Sequence, residues 1–175
     1  MPKLLFISGS LRAASASRAT SRALIARIGD AADCHEAVGL GDLPHYNADI
    51  VNDPHVASFT AQIAECDGVV FVTPEYNYSV PGVLKNAIDW ASRPAFESVF
   101  KDKPCFVMSV SGGALGGVRA QSHLKYILNG LLAQVFTCKE IVVTMANTKV
   151  EDGLLNDDVV LEFATENLNS FIEQI

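Results

Sequence analysis

Ser8, Ser10, Arg12, Ser15 and Ser17 fall within the stretch SGSLRAASAS, positions 8–17. Hydroxyls and a guanidinium at that density are donors suited to an anion. The stretch opens onto a helical pattern, and the first turn of a helix adds unpartnered N–H groups and a positive dipole end. Arg12 can supply a charge-assisted fork to a phosphate. The plain alternative is serine capping beside a solvated arginine; the density of donors favours phosphate. The stretch lacks the Gly-Lys-Ser/Thr end of a Walker loop and the G-x-G-x-x-G of a dinucleotide fingerprint. A phosphate monoester, as in a mononucleotide, fits better than a triphosphate.

Two further stretches have unusual composition. In TPEYNYSVPG, positions 73–82, two prolines bracket Tyr76, Asn77 and Tyr78 and stiffen the backbone. The amides of Glu75, Tyr76 and Asn77 and the aromatic faces suit a flat heteroaromatic ring. The competing reading is a turn whose tyrosines cover the core edge. In SGGALGG, positions 111–117, glycines let the backbone approach a ligand closely, or simply make a flexible connection.

Other candidates carry less. Neither Ser10 nor Ser111 sits in a Gly-x-Ser-x-Gly elbow. His123 lies mid-helix, and His35, His45 and His55 lack the pairing of a metal site. Glu75 is a proline-flanked loop carboxylate, expected to be solvated. Trp90 reads as helix packing, and Asp89 with Arg93 as a surface pair four residues apart. Cys34, Cys66, Cys105 and Cys138 are widely spaced with no Cys-x-x-Cys, which indicates free, mostly buried thiols and a reducing compartment.

Alternating elements must position these loops. Residues 3–8, 68–73 and 104–110 are short apolar runs that read as buried strands. Residues 33–38 are a weaker, edge-type strand, and 140–144 a last one. Helical spacing spans 17–28, 54–66, a stretch from about Pro81, 118–132 and the C-terminal segment through Phe163, Ala164 and Phe171. Residues 39–53, with Gly39, Gly41, Pro44, Asn47 and Asn52, read as a long loop. The β-α alternation implies one domain, 1–175, with a doubly wound, flavodoxin-like parallel sheet of five strands in the order 2-1-3-4-5. Ligands of such sheets bind at the carboxyl ends of the strands, where the three loops lie.

The 175 residues are 49% hydrophobic and 19% charged, with a net charge of −7. Such a balance argues against a general nucleic-acid binder. Charge is unevenly spread: the first 29 residues hold Lys3, Arg12, Arg18, Arg22 and Arg27 with no acid, and the last 25 hold seven acids with no base. An acid-free, Arg- and Ser-rich start imitates a transit peptide, but residues 4–7 read as a strand from the outset. No apolar run approaches the roughly 20 residues of a membrane helix. A cytoplasmic protein without nucleic-acid, membrane or metal partner is expected.

GSLRAAS at 9–15, PEYNYSVPGVLKNAIDWASRP at 74–94 and SGGALGGVRAQSHL at 111–124 resemble the NADPH-dependent FMN reductase family. Within it, the chain is similar to bacterial chromate and quinone reductases and azoreductases. The resemblance implies a noncovalently bound FMN, with NADPH or NADH as co-substrate. Carried over by position, Ser10, Arg12, Ser15 and Ser17 would hold the FMN phosphate. Pro74, Glu75, Tyr76 and Asn77 would line the isoalloxazine and ribityl chain. Ser111, Gly112 and Gly113 would border the other side, with Gly116 nearby. Many members carry Asn where this chain has Ser17. The flavin N5 carries the chemistry, so no side chain is assigned a catalytic role. The implied reaction passes hydride from NAD(P)H through FMN to a small acceptor such as a quinone, chromate, azo compound or free flavin. The implied assembly is a homodimer or homotetramer. The alternatives are a flavodoxin-type electron carrier that binds FMN without using NAD(P)H, and a flavodoxin-like binding module without flavin.

Overall fold

Successive side chains of a strand point to opposite faces of the sheet, and here both sets are apolar. In β1 (Lys3–Ser8), Leu5 and Ile7 enter one core while Leu4 and Phe6 enter the other. β3 (Gly68–Pro74) divides Val69 and Phe71 from Val70 and Val72 in the same way. β4 (Pro104–Val110) divides Cys105 and Val107 from Phe106, Met108 and Val110. A sheet buried on both faces needs helices on both, and the computed structural model, which describes residues 1–175, has them.

The first core is closed by α2 (Pro54–Ala64), α3 (Gly82–Ala91) and α4 (Val118–Gly130), through Phe59 and Ile63, Leu84 and Ile88, and Leu124 and Leu128. The second is closed by α1 (Ala16–Ile28) and α5 (Asp158–Ile172), through Leu24 and Ile28, and Leu161, Leu168 and Phe171. With β2 (Asp33–Glu36) at one edge and the short β5 (Gln134–Val135) at the other, the strands run parallel in the order β2-β1-β3-β4-β5. This is the expected doubly wound, flavodoxin-like arrangement. The loop 39–53 is tied to α3, where Trp90 Nε1 and Asn86 Nδ2 both donate to the Pro44 carbonyl at 2.7 and 2.9 Å. Trp90 is thus a packing and anchoring residue.

The fifth strand departs from expectation. Its place is shared by β5 (Gln134–Val135), beside Pro104 and Cys105, and β6 (Val142–Val143), beside Ser109 and Val110. The residues between them detour, carrying Phe136 against Phe106 and Phe171 with ring centroids 5.9 and 5.6 Å away. The buried Gln121 bridges from α4, its Nε2 donating to Ser109 Oγ at 3.1 Å and to the Ile141 carbonyl at 3.0 Å. α4 ends at Gly130, two residues short of the expected 132. A hairpin of β7 (Val150–Glu151) and β8 (Leu154–Leu155) was not expected, although Asp152-Gly153 between them is a strong type I′ turn signal. Leu155 joins the second core. The Asp89–Arg93 pair does not form: Asp89 binds Lys85 at 2.7 Å, one turn earlier, and Arg93 lies over the Tyr46 ring.

Asp157 caps α5, accepting the Val160 N–H at 3.2 Å, and also accepts Lys149 Nζ at 2.7 Å. The Lys149 hydrogen bond, with the cap, holds its carboxyl below the usual carboxylate range. A group lowered on folding stabilises the fold above its unfolded value and loses that contribution as pH falls through the lowered one. Asp157→Asn is therefore expected to flatten the loss of stability below about pH 4, measured as denaturation midpoint against pH. Phe106→Ala, which empties the ring cluster, should cost about 3–5 kcal/mol in equilibrium denaturation.

Candidate active site

The loop after β1 turns its hydroxyls inward. Ser15 caps α1, accepting the Arg18 N–H at 3.4 Å. Its Oγ lies 2.8 Å from Ser17 Oγ, which lies 2.8 Å from Ser8 Oγ. Ser10 Oγ accepts the Arg12 N–H at 3.3 Å and lies 3.1 Å from the Tyr76 hydroxyl. Ser10, Ser15 and Ser17 are buried. The basic segment is less electropositive than its composition suggests. Arg18 and Arg22 both face Glu36, at 4.0 and 3.1 Å, and Arg27 pairs with Asp158. Arg12 is exposed and is the one arginine of the segment outside an ion pair.

The loop after β3 closes as a two-residue hairpin. Tyr76 and Ser79 exchange N–H···O bonds of 3.0 and 3.1 Å across Asn77 and Tyr78. Both central residues have positive φ, 49° and 68°. That is type I′ geometry, and it places a bulky aromatic where glycine or asparagine is usual, at a cost of about 1–3 kcal/mol. The Tyr76 amide is consumed by this turn and that of Glu75 faces the Val110 carbonyl across the β3–β4 ladder, which leaves the Asn77 amide without a backbone partner. Glu75 is not solvated. Its carboxylate is 13% exposed and accepts the backbone N–H groups of Arg119 and Ala120 at 3.1 and 3.3 Å, in the first turn of α4. Arg119 Nη1 donates to its other oxygen at 3.2 Å. The Arg119 guanidinium lies 4.4 Å over the Tyr78 ring. Beyond the hairpin, Ser79 Oγ and His123 Nδ1 are 2.9 Å apart.

The glycines of the third loop serve contact with protein. A Cβ on Gly112 would stand 2.5 Å from Asn147 Nδ2, and one on Gly116, whose φ is +60°, 2.6 Å from Val142 Cβ. The loop therefore folds flat onto 142–147. Ser111 donates to the Val143 carbonyl at 2.9 Å and accepts from Ala146 at 3.0 Å, and Met145 donates to Gly113 at 3.2 Å.

The three loops meet in a cleft of about 130 Å³. Ser10, Arg12, Ser15 and Ser17 line it from the first loop, Pro74, Glu75 and Tyr76 from the second, and Ser111 and Gly112 from the third. Asn77, Gly113 and Gly116 lie outside it. Asn147 lines it from a segment with no sequence signal of its own. The donor set is three serine hydroxyls, an unpaired guanidinium and the opening amides of α1, and the one carboxylate nearby is bound elsewhere. It fits the phosphate end of FMN. No cysteine supplies a thiolate: burial pushes Cys34 up to about 11, with Asp33 adding to the effect. It raises Cys66, Cys105 and Cys138 as well.

Residues 2–148 match the family described as NADPH-dependent FMN reductase. The chain belongs to that family. A 2-hydroxy-1,4-benzoquinone reductase of a Burkholderia species is 37% identical over 174 residues, covering 98% of this chain and 93% of that protein. A quinone reductase of Escherichia coli K12 is 36% identical over 179 residues, covering 99% and 95%. Among solved structures, the flavoenzyme NAD(P)H:(acceptor) oxidoreductase FerB of Paracoccus denitrificans superposes with a TM-score of 0.86 at 31% identity, covering 99% of this chain and 96% of that one. This member of the FMN reductase family is an oxidoreductase that uses FMN and NAD(P)H.

With an FMN phosphate at the Arg12 guanidinium, Arg12→Ala would lose a charge-assisted contact worth roughly 1.5–3 kcal/mol, and FMN affinity should fall at least tenfold. The Arg12 guanidinium has no partner in the protein, so the apoprotein's melting temperature should stay unchanged. Fluorescence titration of apoprotein with FMN, beside a melting curve, checks both.

Proposed function

We propose that the three-loop cleft holds the FMN of an NAD(P)H-dependent reductase whose acceptor is a small quinone. Bound there, FMN supplies the hydride-accepting and hydride-donating chemistry. The chain's own residues bind, orient and stabilise charge. Ser10, Ser15 and Ser17, the opening amides of α1 and Arg12 hold the phosphate. Pro74, Glu75, Tyr76 and Asn77 make one wall for the ribityl chain and ring. Ser111, Gly112 and Gly113 make the other, with Gly116 and Asn147 bracing it from behind. The Asn77 N–H is free to stabilise negative charge developing at the ring edge. No side chain is needed as acid or base: Glu75 is bound to α4, and His123 sits beside Ser79.

The observation that carries the reading is a set of phosphate donors on the first loop, met by the second and third loops in one cleft at the carboxyl edge of the sheet, in a member of this family. The quinone is supported by the names of the Burkholderia and Escherichia relatives. Chromate, azo compounds and free flavin are further acceptors suited to an open site. A homodimer or homotetramer is supported by an apolar groove between the 39–53 loop, α2 and α3, lined by Ile50, Val56, Ala57, Ala61 and Trp90. Four free thiols support a reducing, cytoplasmic setting.

Purified protein should show an oxidised flavin spectrum that NADPH or NADH bleaches without oxygen and that 1,4-benzoquinone restores. A flavin spectrum left unchanged by both nucleotides would instead mark an electron carrier.

A further inference from the structure

The β3–α3 loop is the wall assigned to the flavin ring, yet its carboxylate serves a helix in another part of the chain. Arg119 and Ala120 are the second and third residues of α4, where amides have no partner inside the helix. The residue placed to cap them is Gly117, which has no side chain and a left-handed backbone, φ +83°. Glu75 Oε2 takes both amides instead, from 44 and 45 residues away. Oε1 takes the Arg119 guanidinium, and that guanidinium covers Tyr78 at the hairpin tip. The hairpin is thereby tied to α4 through Glu75 and Tyr78, in addition to the Ser79–His123 contact. A helix N-terminus facing the site would favour anions; here a fixed carboxylate offsets it.

We propose that Glu75 is a positioning residue of the flavin site. Its carboxylate locks the β3–α3 wall to the wall that opens α4, and it keeps a negative charge beside the ring. The inference rests on FMN occupying this cleft. Two consequences are separable. The clamp sets the spacing of the walls and hence the affinity for FMN. The charge disfavours added negative charge on the ring and hence lowers the reduction potential of bound FMN.

The test compares wild type with Glu75→Gln, Glu75→Asp and Glu75→Ala. FMN affinity is measured by fluorescence titration of apoprotein, midpoint potential by anaerobic redox titration, and the exchange rates of the Arg119 and Ala120 amides by hydrogen exchange of apoprotein. Glu75→Gln keeps an acceptor and loses the charge. Its potential should move positive, with affinity several-fold weaker. Glu75→Asp keeps the charge on a shorter arm. Its potential should stay near that of wild type while affinity falls. Glu75→Ala loses both, with affinity about tenfold weaker and faster exchange at the two amides. Glu75→Gln matching wild type in affinity and potential would overturn the proposal and leave Glu75 a helix cap only. A wild-type protein that takes up no FMN would overturn the site assignment itself, a distinct result. Glu75→Gln preserves size and one cap bond, so the test survives if Glu75→Ala does not fold.

Discussion

β3 is buried on both faces from Gly68 to Thr73, and its neighbours β1 and β4 are apolar on both faces as well. The side chains in the middle of those strands are packed into the two cores and cannot face a ligand. Chemistry is confined to the strand ends, and parallel pairing brings the carboxyl ends of β1, β3 and β4 to the same edge. The loops that leave those ends are therefore neighbours although they are far apart in sequence. The cleft exists because the core leaves polar residues nowhere else to converge.

Charge follows the same geometry. The acid-free first 29 residues place arginines along α1, and the fold then brings β2 and the start of α5 alongside them. Glu36 and Asp158 absorb Arg18, Arg22 and Arg27, which fastens α1 to its neighbours. Arg12 stands in the loop, ahead of the helix, where no acid reaches it. An anion at the mouth of α1 meets one uncommitted guanidinium in a ring of hydroxyls and amides. The Glu75 carboxylate, which would repel that anion, is held by α4.

Where sequence reasoning succeeded, local pattern and global packing agreed. The continuous apolar runs marked the three central strands. Where it failed, the deciding partner lay far along the chain. Glu75 reads as a solvated loop carboxylate until α4 is placed 44 residues later beside it. Nothing in SGGALGG announces that Asn147 packs against Gly112 and Val142 against Gly116. The fifth strand is broken because Phe136 is drawn between Phe106 and Phe171, and nothing near Phe136 in sequence announces that. The β7–β8 hairpin is the exception, since its Asp-Gly turn was there to be read.

By itself the sequence determined the class of fold, the family and the three stretches that meet in the cleft, because apolar period, turn chemistry and a long local motif are properties of contiguous residues. Only the tertiary structure decided which donors are free. Arg12 is distinguished from Arg18, Arg22 and Arg27, the Asn77 amide from the Tyr76 amide, and Asn147 from any other loop asparagine by what the fold brings within about 3 Å of each. A hydrogen bond or ion pair is satisfied by distance in space, and distance in space at the carboxyl edge of a parallel sheet bears no relation to distance along the chain.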